Sequence, residues 1–521
     1  MPDDSITDQG GSRRRIVHLA SEAIPFAKTG GLAEVVGSLP AAQALAGHDV
    51  SLFVPLYHSC KQVAPLEPTG LHTDLWLSGR WYPVSLWKSS LPESSVTVYL
   101  VEQQELFERD RPGTGGSLYQ YRDAQGRLHD YPDNAQRFIL FCRAVLWALQ
   151  ELHLTAYVVH CHDWQTALVP VYLKVEDYRS HPCACAAVIL TIHNLAYQGI
   201  FTAEALQVAG LPTDLFSWRY LEYYGHVNFL KGGIVFADGL TTVSPTYARE
   251  IQTPEYGCGL DGLLRSVSHK LVGIVNGVDY KRWNPATDPY LPRNYDSATV
   301  TEGKSICKRE LQRELGLVQR GDVPLLGMIA RLVEQKGLDL LEQAAPQLQA
   351  EDIQLVVLGV GERRFHDFLE RWARGQPGRV AAVFAFDERL AHRIEAGADI
   401  YLMPSRFEPS GLNQLYSLRY GTVPVVRATG GLQDTVVDCT EQSLAAGQAT
   451  GFVFGPPKAE AFLHTLRHAC ETYRKRPNVW RQLQTTGMSQ DWSWSRSARL
   501  YLDFYEKTLA GRRYKQSASV S

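Results

Sequence analysis

The 521-residue chain has no excess of charge of either sign: 52 Lys and Arg stand against 55 Asp and Glu, for a net charge of −3. That balance excludes a nucleic acid or membrane surface held by bulk charge. No apolar run is long enough to span a bilayer, and no apolar stretch follows the basic Arg13-Arg14-Arg15, so neither a membrane helix nor a secretory signal is expected. Cysteine is sparse and odd in number, nine in all. Cys183 and Cys185 form C-x-C rather than C-x-x-C, and no second pair lies at zinc spacing. This is the pattern of reduced thiols in a cytosolic compartment, packed as small hydrophobes. Short-period repeats and low-complexity segments are also missing.

What is there is an alternation of strand and helix patterns, twice over. In the first series Ile16–Ala20, Val50–Pro55, Val84–Trp87, Val96–Val101, Tyr157–His160, Ala187–Ile192, Leu240–Ser244 and Leu271–Val275 read as strands. Glu34–Ala46 and Asp133–Leu152 read as helices; Phe138, Phe141, Cys142, Val145, Leu146 and Leu149 line one face of the latter. The second series has strands at Leu325–Ala330, Gln354–Leu358, Val380–Ala385, Ile400–Met403 and Val423–Val426, separated by helices. Such alternation predicts an α/β chain with two Rossmann-like, doubly wound parallel sheets and a cleft between them. The expected division is a flexible tail (1–12), a first domain (13–275), a second (276–492) and a C-terminal helix (493–512) that packs back on the first.

Five segments at strand ends carry chemistry. Lys28-Thr29-Gly30-Gly31-Leu32 puts two glycines and a cation before a helix start, a setting for a phosphate group. It is neither a Walker loop nor a dinucleotide fingerprint. His160-Cys161-His162-Asp163-Trp164 sets two imidazoles on one face of an extended chain, with neither a third ligand nor a carboxylate partner evident nearby for a metal. His193 and Asn194 follow the next strand and suit a polyhydroxylated ligand. Arg331 and Lys336, five apart in a loop that opens a helix, are placed to converge on one diphosphate. Glu408, in Phe407-Glu408-Pro409-Ser410-Gly411-Leu412-Asn413, is placed to accept sugar hydroxyls, with the N–H groups of Gly411 and Leu412 beside it. Gly359-Val360-Gly361 lacks a third glycine and reads as a tight turn.

Taken in order, these segments, with Ser244-Pro245-Thr246-Tyr247-Ala248 and Asn276-Gly277-Val278-Asp279, resemble the bacterial glycogen synthases and plant starch synthases from about Arg15 to about Thr508. The resemblance implies a GT-B glycosyltransferase that moves α-glucosyl units from ADP-glucose to the non-reducing end of an α-1,4-glucan with retention, releasing ADP. It implies no metal and no cofactor. By the same resemblance Glu408, His193, Arg331 and Lys336 are catalytic. Lys28, Gly30, Gly31, Asp163, Asn194, Asn276, Gly411, Leu412 and Asn413 bind the donor. Lys28 corresponds to the donor-binding lysine, Arg331 and Lys336 to the pair that neutralises the leaving diphosphate, and Glu408 to the carboxylate that holds the glucose.

Two positions depart from relatives. Ser410 stands where the family commonly has Cys, and Tyr416 where the wider GT-B class often has a second Glu. Tyr416 gives a ribose no carboxylate, which leaves the choice between ADP-glucose and UDP-glucose open. The alternatives are another nucleotide-sugar (UDP-glucose) glucosyltransferase and a non-catalytic glucan-binding scaffold. The segment from about Pro55 to Asp130 carries Trp76, Trp81, Trp87, Tyr119 and Tyr121, faces on which sugar rings stack or which simply pack. The expected setting is the cytoplasm, or the plastid stroma for a plant chain, with neither nucleic-acid nor membrane partners.

Overall fold

The computed structural model describes residues 13–175 and 178–518; the expected tail, 1–12, lies outside the described residues. The chain forms two compact units. The first runs through Val243, resumes over Ala248–Gly277 and is completed from Trp494 onward; the second comprises Ser244–Tyr247 and Val278–Ser493.

The first unit is built on a nine-stranded sheet. Its strands are β1 (Arg15–Leu19), β2 (Asp49–Pro55), β3 (Glu67–Leu77), β4 (Arg80–Ser90), β5 (Thr97–Glu102), β6 (Val158–His162), β7 (Ala187–Ile192), β8 (Gly239–Thr242) and β9 (Leu271–Gly273). The spatial order is β9-β8-β7-β6-β1-β2-β5-β4-β3. β6 and β7 are buried along their whole length, as a parallel sheet covered on both faces requires. The order reverses between β1 and β6, which makes their carboxyl ends a topological switch point.

The sheet is not wholly parallel, contrary to expectation. β4 runs antiparallel to both β3 and β5. The cause is a two-residue turn, Ser78-Gly79, with both residues left-handed (φ 53° and 82°), the geometry that folds a chain straight back on itself. β3 alternates between more and less exposed positions, as an edge strand with one wet face does.

The second unit holds a six-stranded parallel sheet: β10 (Leu325–Ile329), β11 (Gln354–Leu358), β12 (Val380–Val383), β13 (Ile400–Met403), β14 (Val423–Arg427) and β15 (Phe452–Phe454), in the order β12-β11-β10-β13-β14-β15. Its switch point lies between β10 and β13. The helix Arg363–Gly375 buries Phe365, Phe368, Leu369 and Trp372, spaced i, i+3, i+4, i+7, in the same core as Leu355 and Val357. The last helix, Trp494–Ala518, belongs to the first unit and buries Tyr501 and Tyr505 there. Among the described residues no helix is long and apolar enough to cross a membrane.

Candidate functional site

In the first unit the predicted residues gather after β1, β6 and β7, three neighbouring parallel strands. The loop after β1 leads into the helix Gly31–Leu45, whose N-cap is Gly30 without a side-chain cap. A Cβ on Gly30 or Gly31 would meet nothing within 4 Å, so no protein atom demands glycine there and the approach is open. Gly30 is extended rather than sharply turned (φ −159°). Lys28 is exposed and pairs with Glu34 at 2.5 Å. The loop is anchored by Glu22, which the sequence did not single out. Its carboxylate accepts the N–H and hydroxyl of Thr29 and the hydroxyl of Tyr119 at 3.2 Å. Burial raises the Glu22 pKa, opposed in part by the Thr29 N–H.

Asp163 follows β6 directly with a positive φ (56°). Its carboxylate faces the backbone, accepting the N–H of His193 at 2.7 Å and that of Asn194. Asp163 therefore shapes the turn that presents His193. Burial pushes its pKa up to about 7, against the pull of those N–H groups. His193 Nε2 lies 2.9 Å from His162 Nδ1, and burial holds the His193 ring down at about 3, so it is neutral near pH 7. Its Nδ1 has no hydrogen-bond partner among the described residues. Asn194 spends its Oδ1 on the Ala196 N–H. Asn276 is buried and follows β9, two strands away from β7.

In the second unit the loops after β10 and β13 come together at the switch point. Arg406 N–H donates to the Gln335 carbonyl, and Gln335 Nε2 to the Phe407 carbonyl. Lys336 Nζ meets Glu408 Oε2 at 2.5 Å, and Ser405 Oγ donates to the same oxygen at 3.1 Å. Glu408 is buried, 6% exposed, and its carbonyl accepts the Gly431 N–H at the start of the helix Gly430–Thr435 that follows β14. Arg331 is exposed and makes no ion pair among the described residues. The two cations are thus employed differently: Lys336 neutralises Glu408, and Arg331 is free. Gly359 and Gly361 explain how Arg331 is presented. A Cβ on either would collide with the Ala330 or Leu332 carbonyl, so the turn presses directly on the Arg331 loop.

Gly411 is left-handed (φ 68°), and Leu412 caps the helix Asn413–Tyr420. Asn413 Nδ2 donates to the Ile329 carbonyl at 2.8 Å, tying this helix to β10. Ser410 is buried beside it. Tyr416 lies in the core, its ring stacked 3.9 Å from Trp283, which stacks in turn on His392 at 3.8 Å. Tyr416 therefore replaces a carboxylate with packing. The aromatics of the 55–130 segment are dispersed. Trp76 and Trp81 pair at the hairpin end, 48% and 62% exposed, whereas Tyr119 is bonded to Ser21 and Glu22, and Trp87 to Glu102.

The one cluster among the described residues with metal-like geometry is His18, His160 and His162, which each bring one ring nitrogen within 4.8 Å of the others. All six ring nitrogens of the three residues already face protein partners: Gln43, Tyr505, Thr191, His193 and one another. His18 and Gln43 escaped the sequence reading because each looks like a polar residue in an otherwise apolar element.

Comparison with known proteins matches residues 15–266 to the starch synthase catalytic domain and residues 315–482 to glycosyl transferases group 1. The chain is 49% identical to a glycogen synthase of Anaeromyxobacter sp. (strain Fw109-5), over 95% of this chain and 99% of that one. It is 46% identical to glycogen synthase 2 of Nitrosococcus oceani, over 95% and 98%. Among solved structures it resembles the catalytic domain of starch synthase IV from Arabidopsis thaliana, bound to ADP and acarbose. The TM-score is 0.86 at 33% identity, covering 96% of this chain and all of that one.

Proposed function

The chain belongs to the glycogen and starch synthase family, a glycosyltransferase of the GT-B fold, and we propose that it transfers glucosyl units with retention from ADP-glucose to the non-reducing end of an α-1,4-glucan. The observation that carries this reading is the buried Glu408 bonded to Lys336 where the strand order of the second sheet reverses. Ligands of open α/β sheets bind at that point.

Breaking a glucosyl–diphosphate bond builds negative charge on the diphosphate and positive charge on the sugar. Arg331, unpaired and exposed, offers a planar fork to the first. Lys336 and Lys28 add point charges, and the uncapped helix N-terminus after Gly30 adds oriented N–H groups. Glu408 faces the second charge and accepts glucose hydroxyls. His193, neutral at working pH, contacts the sugar as a hydrogen-bonding group and not as an acid. Asp163 holds the His193 turn, and Asn194, Asn276, Gly411, Leu412 and Asn413 shape the donor's surroundings. Preorganised charges of this kind are each worth ~10²–10³ in rate. Attack on the same face, guided by the leaving phosphate, accounts for retention without a nucleophilic carboxylate; a trapped glucosyl-enzyme would refute it. The free thiols of all nine cysteines support a cytoplasmic setting.

The deciding experiment measures glucose transfer to glycogen from ADP-glucose and UDP-glucose in parallel, for the native chain and Glu408→Gln. Transfer from ADP-glucose that collapses in the variant is expected. Preference for UDP-glucose would overturn the donor assignment. Glycogen binding with no transfer from either donor would point instead to a scaffold.

A further inference from the structure

Six side chains from five elements of the first unit form one hydrogen-bonded file that reaches His193. His18 comes from β1, Gln43 from the helix Gly31–Leu45, His160 and His162 from β6, His193 from the end of β7, and Tyr505 from the last helix. Gln43 Oε1 lies 2.7 Å from His18 Nε2, His18 Nδ1 3.1 Å from His162 Nε2, and His162 Nδ1 2.9 Å from His193 Nε2. His18, Gln43, His160 and His162 have no exposed surface at all.

Every ring in the file is neutral near pH 7. Burial brings His18 down to about 4 and His193 to about 3, and drives His160 and His162 well below the ordinary value. A neutral imidazole has one N–H and one bare nitrogen, so rings in series transmit a direction. The Gln43 oxygen only accepts, so His18 Nε2 donates to it. His18 Nδ1 is then bare and accepts from His162 Nε2. His162 Nδ1 is bare in turn and accepts from His193 Nε2. The remaining atom, His193 Nδ1, is left bare.

The other end of the Gln43 amide ties the file to the last helix. Its Nε2 donates to Tyr505 Oη at 3.1 Å, and that oxygen lies 2.7 Å from His160 Nδ1. Reversing the amide would reverse every bond in the file and put a proton on His193 Nδ1. A buried donor or acceptor left without a partner is costly, so intermediate arrangements are disfavoured.

We propose that Gln43, His18 and His162 are positioning residues that fix the tautomer of His193, so that its bare Nδ1 accepts a hydrogen bond from a hydroxyl of the donor sugar. The inference rests on the reading that His193 contacts the donor. It assigns a reason to a row of polar side chains in a sheet core that apolar residues would otherwise fill.

The test uses the full chain with ¹⁵N in its histidine rings. In the native chain His18, His162 and His193 are expected to carry the proton on Nε2, with nitrogen–nitrogen coupling across both imidazole–imidazole bonds. Gln43→Lys offers only donors to His18. In it the His193 proton moves to Nδ1, and kcat/KM for ADP-glucose falls roughly tenfold, about the worth of one hydrogen bond. Gln43→Met, a neutral variant in case the lysine is not accommodated, populates both forms. A native His193 protonated on Nδ1, or one unmoved in both variants, overturns the proposal. So does a stoichiometric metal ion on His18, His160 and His162, which would take the nitrogens the file uses. If the tautomer moves while kinetics with ADP-glucose do not, the file stands, and the assignment of His193 to the donor falls instead.

Discussion

Lys336 and Glu408 touch, whereas Arg331 forms an ion pair with no described residue. That difference fixes how their substitutions combine. Lys336→Met and Glu408→Gln each remove a partner of the same pair, so their losses in kcat/KM, ~10²–10³ apiece, are expected to fall well short of additive. Arg331→Met removes a side chain outside that ion pair and should multiply with either. A double-mutant cycle measured with ADP-glucose checks both statements; additive losses for the touching pair would show that they act separately. Asp163 yields a different kind of prediction. Its folded pKa, about 7, lies above the ordinary 3.8, so ionising it costs the folded state. Its contribution is most favourable below pH 3.8 and is lost as pH rises through 7. Asp163→Asn keeps an acceptor for the His193 N–H and never ionises. Its melting temperature relative to the native chain is expected to be higher at pH 8 than at pH 5, and a gap that does not change with pH would contradict the assignment.

Among the elements, the strands β1 and β6 bear His18, His160 and His162, and these titrate in the opposite sense. Their folded pKa values are depressed, so their full stability is present above pH 6.5 and is lost as pH falls below it, for His18 through about 4. Glu22 and Asp163, with raised values, oppose this, but four neutral histidines outnumber two carboxylates. Amide exchange in β1 and β6, corrected for its intrinsic pH dependence, is expected to speed up between pH 7 and 5.5; slower exchange would mean that the carboxylates prevail. Much of this was legible in the sequence. The alternating pattern located nearly all the parallel strands, and the His-x-His spacing put two rings on one face, where they stack 4.2 Å apart. The unread parts have physical causes. The helix Val300–Glu314 buries Lys304, Lys308 and Gln312, so it shows no apolar stripe; the lysines are satisfied by Thr422 and the Ala396 carbonyl, and by Asp399. The β3–β4 hairpin hides because Ser78 adopts a conformation its residue type rarely takes. Glu22 and Gln43 acquire their roles only from partners distant in sequence.

At the scale of the whole molecule, the chain leaves the first unit at Gly277 and comes back to it at Trp494. The returning helix is part of that unit's core. Tyr501, Phe504, Tyr505 and Leu509 are all buried, and the Phe504 ring lies so close to Gly239 at the start of β8 that a Cβ there would meet it at 2.8 Å. Arg512 donates to the Ala184 carbonyl and pairs with Asp238 at 3.1 Å. Burying four large side chains contributes ~2 kcal/mol each, ~8 kcal/mol together. A domain's entire stability is ~5–15 kcal/mol. Ending the chain after Ser493 is therefore expected to leave the first unit unable to hold its fold, while Val278–Ser493, whose sheet and cores lie within it, keeps a cooperative melt of its own. Calorimetry of the full and shortened chains separates these outcomes. A shortened chain that retains both transitions would show that the last helix only decorates the first unit. Loss of the first transition alone would show that the last helix completes the core behind the sheet on which His193 is mounted, the same helix that brings the Tyr505 hydroxyl to Gln43.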